Sequence, residues 1–133
     1  MKRRTFIFGA SAASLGLASV GGVFWRRNYL ARKGVELLRK RITLGELTQQ
    51  IGEAYLEANP KSSEWSLFAE IVGPRKLEEG WREDGGEKLA GHVQWQIRTE
   101  AGQGLFIEEA GWILSPCEVK LYALLVLTKD VNG

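Results

Sequence analysis

At 133 residues the chain has room for one small domain and a terminal segment. Its net charge of +2 conceals a split: residues 1–41 hold ten Lys or Arg against Glu36 alone, net +9, while residues 42–133 hold eight against fifteen acids, net −7. The basic charge flanks an apolar run instead of covering a folded face, which argues against a nucleic-acid reader, and one cysteine with one histidine is too few for a structural zinc site.

The N-terminus reads MKRRTFIFGASAASLGLASVGGVFWRRNYLARK, with three basic residues before an uncharged run from Thr5 to Trp25. This is the three-part layout of an export signal. Arg3-Arg4-Thr5-Phe6-Ile7 resembles the twin-arginine (Tat) motif: Arg3 and Arg4 form the pair, Thr5 the spacer, and Phe6 and Ile7 the aromatic and aliphatic positions. Lys2 and Phe8 depart from it. The Gly, Ala and Ser content of the run is also closer to a Tat signal than to a Sec signal. The resemblance implies recognition by the Tat translocase, passage of a folded chain across a bacterial inner membrane, and a periplasmic location or attachment to the periplasmic face of that membrane.

Val20-Gly21-Gly22 is the best small-x-small cleavage candidate. Retained as a helix, the 21 residues from Thr5 to Trp25 would cover roughly 30 Å of hydrocarbon, with Trp25 and Arg26-Arg27 at the lipid–water boundary. Seven basic residues follow the run and three precede it, a bias that by itself keeps the domain cytoplasmic. The motif outweighs that bias because Tat routing depends on its recognition.

Residues 1–27 therefore read as a Tat-like signal or membrane anchor, 28–41 as a basic helical connector, and 42–133 as a small, mainly helical domain with one short β-hairpin. In the connector, Tyr29, Leu30, Val35, Leu37 and Leu38 are the apolar members, and its positive charge would favour anionic headgroups beside a membrane.

Leu44, Leu47, Ile51 and Tyr55 recur at three- and four-residue steps and predict a helix over Thr43–Ala58, with Thr43 and Glu46 at capping-box spacing. Pro60, after Asn59, ends it. A second helix starting at Ser62 or Ser63 presents Trp65, Phe68, Ile71 and Val72 and stops at Gly73-Pro74. Arg75–Gly86 is a charged, glycine-rich loop whose one aromatic, Trp81, is a candidate partner contact. A further helix, Glu87–Glu100, carries Leu89, Val93 and Ile97, with His92 as an ordinary helix residue.

Leu105-Phe106-Ile107 and Trp112-Ile113-Leu114 flank a four-residue turn, Glu108–Gly111, and predict a hairpin. Ser115-Pro116-Cys117-Glu118 then opens a helix: Ser115 caps it, Pro116 fits the first position, and Glu118 can reach back to the Ser115 amide. From Val119 to Leu127 that helix is apolar on nearly every side, which places it at the centre of the domain. A helix N-terminus favours a thiolate at Cys117, but a hydrolytic cysteine also needs a base, and nothing in the sequence places His92 beside it. The carboxylate pairs Glu78-Glu79 and Glu108-Glu109, with Asp84 and Glu87, read as solvated surface. No catalytic, cofactor-binding or metal-ligating residue is assigned.

Two blocks carry a further resemblance. Ile51-Gly52-Glu53-Ala54-Tyr55-Leu56 with Asn59-Pro60, and Gly111-Trp112-Ile113-Leu114-Ser115 with Glu118, Leu121 and Leu124, resemble a family of small bacterial proteins, often Tat-signal-bearing, with IGxAYL…P and GWxLSxTExxLxAL patterns. The blocks cover about a third of the chain. The pattern has threonine where Cys117 stands, which weakens a catalytic role for that residue. Its members bring no activity with them, and the shared residues Tyr55, Pro60, Trp112, Ser115 and Glu118, with Pro116 at a position the pattern leaves variable, read as architecture: helix cap, buried aromatic and central helix.

By analogy with the small Tat-bearing subunits of membrane-linked flavin dehydrogenases, the expectation is a non-catalytic accessory subunit or assembly factor without cofactor, working beside a larger redox protein. The alternatives are a cytoplasm-facing, membrane-anchored interaction protein and a small enzyme using Cys117.

Overall fold

The computed structural model describes residues 20–129, with side chains inside α1 described from Trp25 onward. Arg3, Arg4, Phe6, Ile7 and nearly all of the apolar run lie outside the described residues. Five helices and one antiparallel hairpin follow in order: α1 (Val20–Arg41), α2 (Glu46–Ala58), α3 (Glu64–Val72), α4 (Glu87–Gly102), β1 (Ile107–Glu109), β2 (Trp112–Leu114) and α5 (Pro116–Leu127). The mainly helical class with one hairpin is thus observed. Among the described residues no helix is long and apolar enough to cross a membrane.

α5 is the central element. Cys117, Val119, Leu121, Ala123, Leu124 and Leu125 are all buried, and the other four helices all pack against it. A helix without a polar face can only be satisfied this way, because every side must be withdrawn from water.

α1 supplies a stripe at Ala31, Val35 and Leu38, together with Leu37, all buried. The stretch read as a connector is therefore built into the core. The sequence reading missed Ala31 because its small side chain gives little periodic signal, and it included Tyr29, which is exposed. Arg32 fastens α1 to α3 by donating to both Glu64 carboxylate oxygens at 2.8 and 3.1 Å. Arg39 joins α1 to the end of α5, donating at 2.7 Å to the Leu125 carbonyl and at 2.7 Å to the Thr128 hydroxyl.

The helix ends show where local chemistry decides. α2 begins three residues later than predicted. Gly45 is its N-cap, and the Thr48 hydroxyl accepts from the Gly45 amide at 2.8 Å, a task expected of Thr43 and Glu46. At the other end Asn59 donates its side-chain amide to the Tyr55 carbonyl at 2.9 Å. α3 starts after Ser63, whose hydroxyl accepts from the Ser66 amide while the Ser66 hydroxyl accepts from the Ser63 amide. The N-terminus of α4 is held by the Asp84 carboxylate, which accepts from the Gly86 and Lys88 amides at 3.0 and 2.9 Å.

The hairpin turn is shorter than the expected four residues. Glu108 and Glu109 belong to β1 and pair with Ile113 and Trp112, leaving Ala110-Gly111 as the loop. Both have positive φ, 52° and 84°, the two-residue geometry whose twist matches that of the flanking strands.

Candidate interaction site

The two residues with the most reactive chemistry are engaged at one helix end. The last carbonyls of a helix lack intrahelical donors. At the end of α3 the Cys117 thiol donates to the Ile71 carbonyl at 3.4 Å, and His92 Nε2 lies 2.7 Å from the Val72 carbonyl. A carbonyl can only accept, so Nε2 carries the proton. Both side chains are buried. Cys117 and His92 thus serve neighbouring carbonyls of α3 as backbone caps.

The environment of Cys117 opposes nucleophilic chemistry. Burial pushes the thiol well above its ordinary range, and the Glu100 carboxylate adds to the shift. The favourable field of the α5 N-terminus is already used: Glu100 reaches across from α4 and accepts from the Cys117 amide at 2.7 Å. Ser115 caps as expected, accepting from the Glu118 amide at 3.2 Å. Glu118 itself accepts from the Tyr122 hydroxyl at 2.7 Å, so the anion at the helix start comes mainly from α4 and not from a return contact to Ser115.

Iodoacetamide should leave Cys117 unlabelled in the folded protein and label it fully in urea, as read by intact mass. Raising the pH through the ordinary thiol range near about 8.5 should not open the site, because the folded thiol is still protonated there. The raised pKa contributes stability that is fully present below the unfolded value. It is lost as the pH rises from there toward the folded value, since only the unfolded chain then ionises.

Two surfaces have the chemistry of binding sites. The first is a cleft of ≈ 380 Å³ between α1, α3 and the 74–86 loop, with Trp65, Phe68 and Val72 of α3 meeting Leu77 and Trp81 from the loop. Arg26 and Arg82 also line it. Trp81, read as an exposed partner contact, is half-buried here, with its ring centroid 6.0 Å from that of Phe68. Arg27 lies over the Trp65 ring at 5.5 Å and steadies that wall. Just outside, Trp25 stacks on Tyr29 with rings 5.9 Å apart, and Trp25 is 71% exposed.

The second surface is the hairpin. Ile107 and Leu114 form a cross-strand pair packed against the core, while Phe106, Trp112 and Ile113 are exposed, Ile113 by 70%. Trp112 corrects the expectation of a buried aromatic. It alternates onto the same face as Leu114 but sits by the turn, opposite Glu109, where the three-residue strands have run past the core. Tyr55 is buried, Pro60 follows the end of α2, and Ser115 and Pro116 open α5.

The sequence reading missed Glu100 and the presence of Arg26 and Arg82 in one cleft lining. Glu100 offered no local signal, since its partner lies seventeen residues away. Among the described residues no group of three His, Cys, Asp or Glu side chains is arranged to hold a metal ion. No family model, curated protein or solved structure matches the chain.

Proposed function

We propose that this protein is a non-catalytic accessory subunit or assembly factor, exported in folded form by the Tat translocase. It works at the periplasmic face of the inner membrane beside a larger membrane-linked redox protein, with the flavin dehydrogenases as the analogy. The observation that carries this reading is the hairpin: Phe106, Trp112 and Ile113 stand exposed on a tightly turned ribbon, an arrangement suited to a protein contact. Engagement of Cys117 and His92 by the α3 carbonyls favours binding over chemistry. Arg3-Arg4-Thr5-Phe6-Ile7 supports the route.

Affinity purification from a detergent extract tests the partner. The full chain should bring down a stoichiometric larger protein, and Trp112→Ala with Ile113→Ser should release it while the variant keeps its helical circular dichroism. Surface changes of this kind shift stability by no more than about 0.5 kcal/mol, so loss of the partner would not reflect unfolding. Recovery of the chain alone would remove the support for this reading.

A second reading rests on the seven basic residues that follow the apolar run: a cytoplasm-facing, membrane-anchored interaction protein. A reporter fused after Gly133 that is active only in the periplasm excludes it.

A further inference from the structure

We propose that the cleft between α1, α3 and the 74–86 loop binds one anionic phospholipid, with its phosphate held by Arg26 and Arg82 and an acyl chain lying along Leu30, Val72 and Leu77. The charge of the cleft is local. Residues 42–133 carry a net charge of −7, yet the cleft lining includes two arginines and no acid. Both guanidinium groups are exposed, and among the described residues neither takes part in an ion pair. They come from α1 and from a loop more than fifty residues away, so their convergence is a product of the fold and not of one basic run.

The floor beneath them is apolar, and the volume of ≈ 380 Å³ lies within the range of about 300–1,000 Å³ typical of ligand pockets. A soluble phosphate would use the arginines and leave that floor wetted. A purely apolar peptide would cover the floor and leave both cations without a counter-charge. A lipid satisfies both parts, and Arg is well suited to a phosphate because its planar fork can donate two parallel hydrogen bonds. The indoles of Trp65 and Trp81 have the mixed character that favours the boundary between headgroup and hydrocarbon.

Position completes the case, and here the inference rests on the membrane attachment proposed above. α1 is helical from Val20 and continues the uncharged Thr5–Trp25 run, so Arg26 is the first residue beyond it. The exposed Trp25–Tyr29 stack lies at the same level of the helix. With the run in the bilayer, the mouth of the cleft meets the headgroup layer.

The full chain in non-ionic detergent is titrated with phosphatidylglycerol, with phosphatidylcholine and with glycerol phosphate, and bound molecules are counted by native mass spectrometry. One phosphatidylglycerol per chain is expected, with phosphatidylcholine at least tenfold weaker and glycerol phosphate unable to displace the lipid. Arg26→Gln and Arg82→Gln should each weaken binding about tenfold, the scale of one charge-assisted contact. Lys40→Gln, an exposed change on the same helix but outside the cleft, should have no effect. All three variants should keep the melting temperature of the lipid-free protein.

Equal loss in Lys40→Gln and Arg82→Gln would overturn the site in favour of diffuse attraction. Equal binding of phosphatidylcholine would overturn the role of the arginines, and displacement by glycerol phosphate would make this a site for a soluble anion. The titration involves no export, so its failure is distinguishable from a failure of the proposed route.

Discussion

Phe68→Ala should lower the unfolding free energy by about 3–5 kcal/mol, the usual cost of truncating a buried aromatic. Phe68 is 3% exposed and joins three parts of the molecule. On one side its ring lies against Gly34 of α1, so closely that a Cβ at Gly34 would stand 2.2 Å from the ring. On others it meets Trp65 and Trp81, with ring centroids at 6.2 and 6.0 Å. The space left by alanine cannot be filled cheaply, because two of the neighbours are rigid indoles and the third has no side chain. Urea denaturation followed by circular dichroism measures the loss. Trp81 fluorescence should also shift to the red in the folded variant, since its packing surface is gone. A loss below 1 kcal/mol would mean that α1 does not dock on α3 as described.

Gly52→Ala should destabilise the protein by about 1–3 kcal/mol, the cost of overpacking a filled interior. Helix propensity alone predicts the opposite sign, a gain of up to about 1 kcal/mol. The structure decides between them. A Cβ at Gly52 would lie 2.7 Å from the Tyr122 carbonyl oxygen and 2.8 Å from Val126 Cγ2. The first of these is backbone of the central helix and cannot rotate away, so α2 must lift off α5. Gly91 on α4 provides the comparison: nothing lies within 4 Å of its added Cβ, and Gly91→Ala should stabilise by about 0.5–1 kcal/mol. Opposite signs for the two substitutions, read from denaturation midpoints, check the α2–α5 approach. Stabilisation by both would contradict it.

The elements legible in the sequence are those fixed by near neighbours in the chain. Ser63 and Ser115-Pro116 announce the starts of α3 and α5 because capping acts within one turn, and Gly73, with φ of 73°, stops α3 because few residues but glycine adopt that conformation. The central position of α5 was also legible, since a helix apolar all round has one place to go.

The parts not legible depend on distant partners. Glu100 supplies the anion for α5 from another helix, and Arg39 reaches α5 across 86 positions. The site followed the same rule. Trp81 stood out as an isolated aromatic in a charged loop, but its packing on Phe68 required the tertiary fold. Trp112 read as core because large aromatics are usually buried, yet a ribbon of three-residue strands leaves its tip uncovered. The shared Ile-Gly pair was recognisable as a pattern, and only the approach of the Tyr122 carbonyl shows why the second residue is glycine.

Replacing Arg3 and Arg4 together with lysine, then following the location of the chain and the mass of its N-terminus, tests the central claim most directly. Export in folded form predicts that the unaltered protein reaches the periplasmic side and that the double variant accumulates, folded, in the cytosol. Delivery of the double variant to the periplasm, or undisturbed export of the unaltered protein in cells that lack the Tat translocase, would contradict it.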